Sequence, residues 1–194
     1  MKTATESDPQ VVEYLRRAAR LRLLALTFEC PHEGWQEQLS SLAVEIGEAD
    51  LRQLAEQARE EASPHLYHTT CGPGGPAAPR EVSYVDTILP GQLMADLRAF
   101  YEAFAYRPDI DEPSDHIAVE LGFLSYLQLK TAYAVLRGDQ QQAAIAADAA
   151  RRFLEDHVSN VIGPLASILE ASGIGYLAAA VASLRRCTDL GCLL

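Results

Sequence analysis

Residues Glu112 to Leu124 read E-P-S-D-H-I-A-V-E-L-G-F-L, a polar acidic corner that turns into an apolar run. Pro113 donates no backbone hydrogen bond but suits a helix entry, and Ser114 or Asp115 can accept one from the amides freed there. From Ile117 the apolar residues fall at Ile117, Leu121, Leu124 and Leu127, the spacing of one helix face. Asp115 and His116 therefore stand at the positive end of a helix that enters a core. His116 and Glu120 are four apart, so on a helix they are neighbours that can hydrogen-bond. Two readings follow: a helix start that fixes local geometry, or an outward-facing turn beside an apolar groove, with Glu120 orienting the imidazole from below.

Helical spacing extends outward in both directions. Asp8-Pro9 pairs an N-cap with a proline at the first helical position. Val11, Tyr14, Ala18, Leu21, Ala25 and Phe28 then form one long stripe that ends before Pro31. Further patterns run through Trp35, Leu39, Leu42 and Ile46, closing at Gly47, and through Leu51, Leu54, Ala55 and Ala58, closing before Pro64. Prolines 73, 76 and 79 with glycines 72, 74 and 75 predict no helix between Pro64 and Pro90, and Val82–Val85 is too isolated for a strand. Periodicity returns at Leu93, Leu97, Phe100, Tyr101 and Phe104, and again in the alanine-rich stretch from Gln140 to Asp156. Gly163-Pro164 predicts a break before two short closing helices, Leu165–Ala171 and Ile174–Leu184. The expected fold is all-α, one helical domain over residues 1–194, with N-terminal helices over 1–63, a hinge loop over 64–90 and C-terminal helices over 91–194. A loop that long inside a domain is uncommon and tends to be functional. It also permits exchange of halves between copies, so a homodimer by domain swapping is expected to be accessible.

Bulk composition narrows the function. With 194 residues, 48% hydrophobic and 22% charged, the chain has the composition of a globular protein with ample core. Its net charge of -11 argues against nucleic acid, whose phosphates it would repel, and suits a basic partner. No apolar run is long enough for stable membrane insertion, and residues 1–9 lack a signal-peptide plan, so a cytoplasmic location is expected. In that compartment Cys30, Cys71, Cys187 and Cys192 read as free thiols.

Two constellations could carry chemistry. His65-x-x-His68-x-x-Cys71 has ligand-like types, but no partner motif supplies a fourth ligand, and no metal is expected. Asp109, Asp111, Glu112, Asp115 and Glu120 surround His116, the raw material of a general base. No nucleophile elbow, phosphate cradle or H-E-x-x-H accompanies them. A small helical metal- or nucleotide-binding enzyme using either cluster is the alternative; the chain is otherwise expected to be no enzyme and to hold no cofactor.

The same stretch resembles the central motif, E-P-x-D-H-x-x-x-E-L-x-F-L, of the TorD/DmsD/NarJ-type chaperones for molybdenum-cofactor oxidoreductases. Gly72-Pro73 through Pro79, followed by Glu81-Val82-Ser83-Tyr84, is similar to that family's proline-rich hinge and its E-S-V-Y-like segment. Leu97-Arg98-x-x-Tyr101 and Phe153-Leu154-x-x-His157 resemble two later elements, so the likeness covers roughly residues 70–160. The chain departs from the family where Thr70-Cys71 replaces an aromatic pair and where Val161 or Ile162 stands for a tryptophan. The resemblance implies a cytoplasmic, all-helical chaperone that binds the catalytic subunit of a molybdenum-containing oxidoreductase, commonly by its twin-arginine leader, until the cofactor is inserted. It implies Glu112, Pro113, Asp115, His116, Tyr84 and Tyr101 as partner-binding, supported by Glu120, Leu121, Phe123, Leu124 and His157. Such a leader has a basic front and an apolar segment, which calls for an acidic rim, here Asp109, Asp111, Glu112 and Asp115, beside an apolar groove. Tyr84, Phe100, Tyr101 and Phe104 are the candidate groove wall.

Overall fold

The computed structural model describes residues 8–86 and 88–189. Among them regular structure is helical throughout: α1 (Pro9–Thr27), α2 (Trp35–Ile46), α3 (Ala49–Glu61), α4 (Pro64–Thr70), α5 (Pro90–Ala103), α6 (Ile117–Leu136), α7 (Gln140–Phe153), α8 (Ser159–Ser172) and α9 (Gly175–Asp189). A three-residue 3-10 turn, Glu81–Ser83, interrupts the hinge, and a wide π turn, Leu154–Val158, joins α7 to α8.

Helix α6 is the axis. It buries most of its circumference, including Ile117, Glu120, Leu121, Phe123, Leu124 and Leu127, and leaves one stripe, Leu129, Tyr133 and Leu136, exposed. Helix α1 packs along its length, and the Ser125 hydroxyl donates to the Ala18 carbonyl at 2.8 Å where the two meet. Gly138, at a φ of 72°, reverses the chain so that α7 returns against α6. Helices α8 and α9 pack on each other, and α9 closes onto α3. Residues from both sides of the hinge thus share one core. At its centre Phe123 meets Phe153 and Tyr101 edge-on, with ring centroids 4.7 and 4.9 Å apart, contacts worth about 1 kcal/mol each beyond area burial. Trp35 is fully buried and its indole N–H donates to the Leu26 carbonyl at 2.8 Å.

Three local expectations are corrected. Residues 64–70 form a helix: the Ser63 hydroxyl caps it by accepting from the Leu66 amide, and Pro64 occupies the first turn. The serine-proline pair is a start signal of the same kind as Asp8-Pro9. Gly163-Pro164 does not break the chain, because α8 runs through Pro164. Val161, Ile162, Leu165, Ala166 and Leu169 are all buried around it, and that packing outweighs the one hydrogen bond a proline forfeits. Finally, α6 is capped neither by Ser114 nor by Asp115 but by His116, whose Nδ1 accepts from the Ala118 amide at 3.1 Å. Of the four cysteines, Cys192 lies outside the described residues.

Candidate functional site: the hinge pinned to the α6 entrance

The hinge runs antiparallel beside the start of α6. The Glu81 amide donates to the Asp115 carbonyl at 2.9 Å, and the Ile117 amide to the Pro79 carbonyl at 2.8 Å. Between these two bonds Asp115 turns inward. Its Oδ1 accepts from Arg80 Nε at 2.9 Å and Nη2 at 2.7 Å, and its Oδ2 accepts from the Val82 amide at 3.2 Å. Asp115 is fully buried, while the Arg80 side chain keeps 41% of its surface. A forked guanidinium meeting a carboxylate in two places gives fixed geometry as well as charge pairing.

The 3-10 turn then sends Glu81 into the core. Its carboxylate accepts from His157 Nδ1 at 3.0 Å and from Asn160 Nδ2 at 2.9 Å. His157 projects from the π turn, packed against Phe153 and Phe100; such wide turns often re-aim a side chain at a site that needs it. Hinge, α6 entrance and α7–α8 junction therefore meet in one buried polar cluster. Glu120 completes it. Burial, followed by the charges of Glu81 and Asp115, pushes its carboxyl well above the ordinary carboxylate range. Both of its carboxyl oxygens are buried without a hydrogen-bond partner among the described residues, which favours the neutral form. A raised folded pKa means Glu120 stabilises the fold fully below about pH 4.5, and that contribution declines as pH rises toward the folded value. Glu120→Gln keeps the shape and a donor, so stability at pH 7 is expected to change by less than about 1 kcal/mol. Urea melts from pH 5 to 9 should show the variant losing less with pH than the wild type; a steeper loss would refute the neutral carboxyl.

His116 is 1% exposed. Because Nδ1 accepts from Ala118, the ring proton sits on Nε2, which donates to the Tyr67 hydroxyl at 3.0 Å. Tyr67 in turn points at Glu112 Oε1, 3.5 Å away. Burial lowers the imidazole pKa to about 4, Asp115 opposes the shift and Arg80 adds to it, so the ring is neutral at physiological pH. The outward-facing reading of Asp115 and His116 is thus corrected: both side chains are inside, because the hinge backbone lies over them. Nor does Glu120 orient the imidazole, since Ala118 and Tyr67 do so while Glu120 lies toward Glu81 and Asp115.

Of the remaining residues singled out by sequence, Pro113 is exposed and Glu112 half-buried, with burial as the main cause raising its carboxyl pKa. Tyr101 is core: its hydroxyl donates to the Ser114 carbonyl at 2.8 Å and holds the motif loop in place. Tyr84 does the same for the hinge through the Ala78 carbonyl at 2.6 Å. Leu121, Phe123 and Leu124 are fully buried beneath them. Phe100 and Phe104 are partly buried: both pack edge-on against Phe123 of the motif and line a shallow depression with Ile145 of α7. Arg80, Glu81, Tyr67 and Asn160 were not singled out as site residues. Arg80-Glu81 at the hinge exit, opposite in charge to Asp115 and His157, was the available signal for the first two; Tyr67 and Asn160 had none.

A cleft of about 500 Å³ opens where α4 and the glycine-proline loop face the motif. Tyr67, His68, Gly72, Arg80, Glu112, Pro113 and His116 line it. Gly72 and Gly75 are required there, since a Cβ on either would collide with the His68 or Thr70 carbonyl. His65 and His68 are exposed, and burial pushes the Cys71 thiol up to about 12. Among the described residues no group of three or more His, Cys, Asp or Glu is placed to hold a metal. None of their helices is long and apolar enough to cross a membrane.

A helical bundle organised in this way has a solved counterpart. The crystal structure of a candidate redox enzyme maturation protein from Archaeoglobus fulgidus matches with a TM-score of 0.59 at 22% identity, covering 89% of this chain and 93% of that one. Among curated proteins no sequence matches significantly. The family model described as the nitrate reductase delta subunit matches residues 29–167, which include the hinge, the motif and His157, and the chain belongs to that family. It is the NarJ/TorD type, made up of redox enzyme maturation chaperones and not of catalysts.

Proposed function

We propose that this chaperone acts in the cytoplasm on the catalytic subunit of a molybdenum-cofactor oxidoreductase, binding its N-terminal twin-arginine leader and holding it until the cofactor is inserted and export can proceed. The observation that carries the proposal is the acidic edge of exposed Asp109 and Asp111 and half-buried Glu112, which ends at the cleft where hinge and motif meet. Glu112 and Pro113 are the partner-contacting residues. Asp115, His116, Tyr84 and Tyr101 act from beneath, as the groups that shape the cleft, and Glu120 and His157 hold that layer to the core. A basic leader front is matched by the carboxylates, and the net charge of -11 speeds its capture.

Calorimetry of the intact chain with a twin-arginine leader peptide tests this. Binding with one peptide per chain is expected, weakening by at least tenfold as salt rises from 50 to 500 mM, because exposed charges are screened. Absence of binding at low salt would refute leader recognition. Exchange of the N-terminal helices through residues 64–90 would give the homodimer, at the cost of releasing Arg80 and Glu81 from their buried partners.

A further inference from the structure

We infer that the groove between α1 and α6 is the seat of the apolar segment of the leader, taken as a helix, with the leader's basic front on the neighbouring acidic edge. The inference rests on the leader-binding reading above and assigns it a second surface. The groove has a volume of about 650 Å³. Small residues Ala18, Ala19 and Ser125 form part of its floor, and the Tyr106 side chain lies over Gly122. The Ser125 hydroxyl is satisfied by the Ala18 carbonyl, and the Tyr106 hydroxyl donates to the Val119 carbonyl at 3.4 Å. Leu15 and Leu129 stand on the walls, each 46% exposed. Past Leu129 the α6 face continues with Tyr133 and Leu136, at 61% and 71% exposure, four and seven residues on and so on the same stripe. Large apolar side chains aligned along a groove mark a surface that a partner covers.

Charge sets the occupant and its direction. Asp109 lines the groove and Glu112 lines the hinge cleft, and three residues of chain span at most about 10 Å. The acidic edge is thus the link between the two concavities. Arg22, also at the groove, is paired with Glu29 at 2.6 Å and reaches Asp109 at 3.8 Å, so its charge is largely answered from within. Arg107 is the remaining cation at the rim. A segment with basic residues followed by an apolar stretch can place the first on Asp109–Glu112 and the second along Leu15 and Leu129. A purely apolar helix, or a second copy of this acidic chain, leaves the edge uncompensated.

The test uses calorimetry of the intact chain with two peptides, one the complete leader and the other its basic front alone, on wild type and on a Leu15→Asn, Leu129→Asn double variant. Both positions are exposed, so the melting temperature and helical circular dichroism should be unchanged. The expected result is at least a tenfold loss of affinity for the complete peptide with unchanged affinity for the basic front. Equal affinity of both proteins for the complete peptide would overturn the groove assignment while leaving leader binding intact; no binding by wild type would overturn both. If light scattering showed a wild-type dimer that the double variant converts to monomer, with peptide affinity unchanged, the groove would be a self-contact and the inference would fail.

Discussion

Replacing Asp115 by alanine is expected to cost about 3 kcal/mol of folding stability, lowering the melting temperature by roughly 10 °C. The carboxylate is fully buried and holds two nitrogens of Arg80 and the Val82 amide. Its removal strands a buried backbone donor and unties the hinge from α6. Half of the Arg80 side chain can return to water, which keeps the loss at the lower end for a broken buried pair. Asp115→Asn retains an acceptor for Val82 and should lose about half as much. Urea denaturation of the three proteins at pH 7 measures the series. An alanine variant within about 1 kcal/mol of wild type would show that the hinge is held by something else.

The second large effect is acid lability centred on His116. Its folded pKa of about 4 lies below the ordinary histidine value of 6.5, so between those values the unfolded chain binds the extra proton. Stability from this residue is complete above pH 6.5 and falls as pH drops through the window to 4, by about 3 kcal/mol in all. The direction is opposite to that of Glu120, whose contribution declines as pH rises. His116→Asn keeps a side-chain oxygen for the α6 cap but cannot take up the proton. Its stability should therefore be lower than wild type at pH 7, through the lost contact with Tyr67, yet should lack the wild type's fall between pH 6.5 and 4.5. Parallel pH slopes for wild type and variant would place the titrating group elsewhere.

Much of this architecture is legible in the residues themselves, for reasons that differ from place to place. Helix α1 is announced by Asp8-Pro9 and a nineteen-residue stripe, and α2 by its pattern and Gly47, because caps and periodicity are local properties. Helix α4 was missed although Ser63-Pro64 is an equally good cap, because its seven residues are too few to show a period and glycines follow at once. Pro164 misled in the other direction: a local breaker was overridden by buried neighbours that only the packed fold supplies. At the site, Glu112, Asp115 and His116 are visible as a motif, but which of them faces a partner is a tertiary fact. The Pro79–Glu81 backbone lies over Asp115 and His116 across 35 residues of sequence, and no spacing rule within the motif could report it. The same holds for Glu81 and His157, 76 residues apart. Resemblance named both stretches without saying that they touch.

This distinction changes what a mutation can prove. Substituting Asp115 or His116 would weaken a partner's binding by loosening the cleft even if neither touched the partner. Asp111 is exposed and Glu112 only half-buried, so charge can be removed there with little cost to the fold. The decisive measurement is therefore the affinity of an Asp111→Asn, Glu112→Gln double variant for a twin-arginine leader peptide, read by calorimetry against wild type at 50 mM salt. At least tenfold weaker binding with an unchanged melting temperature is the expected result. Equal affinity of the two proteins would contradict the assignment of this acidic edge as the surface that receives the leader.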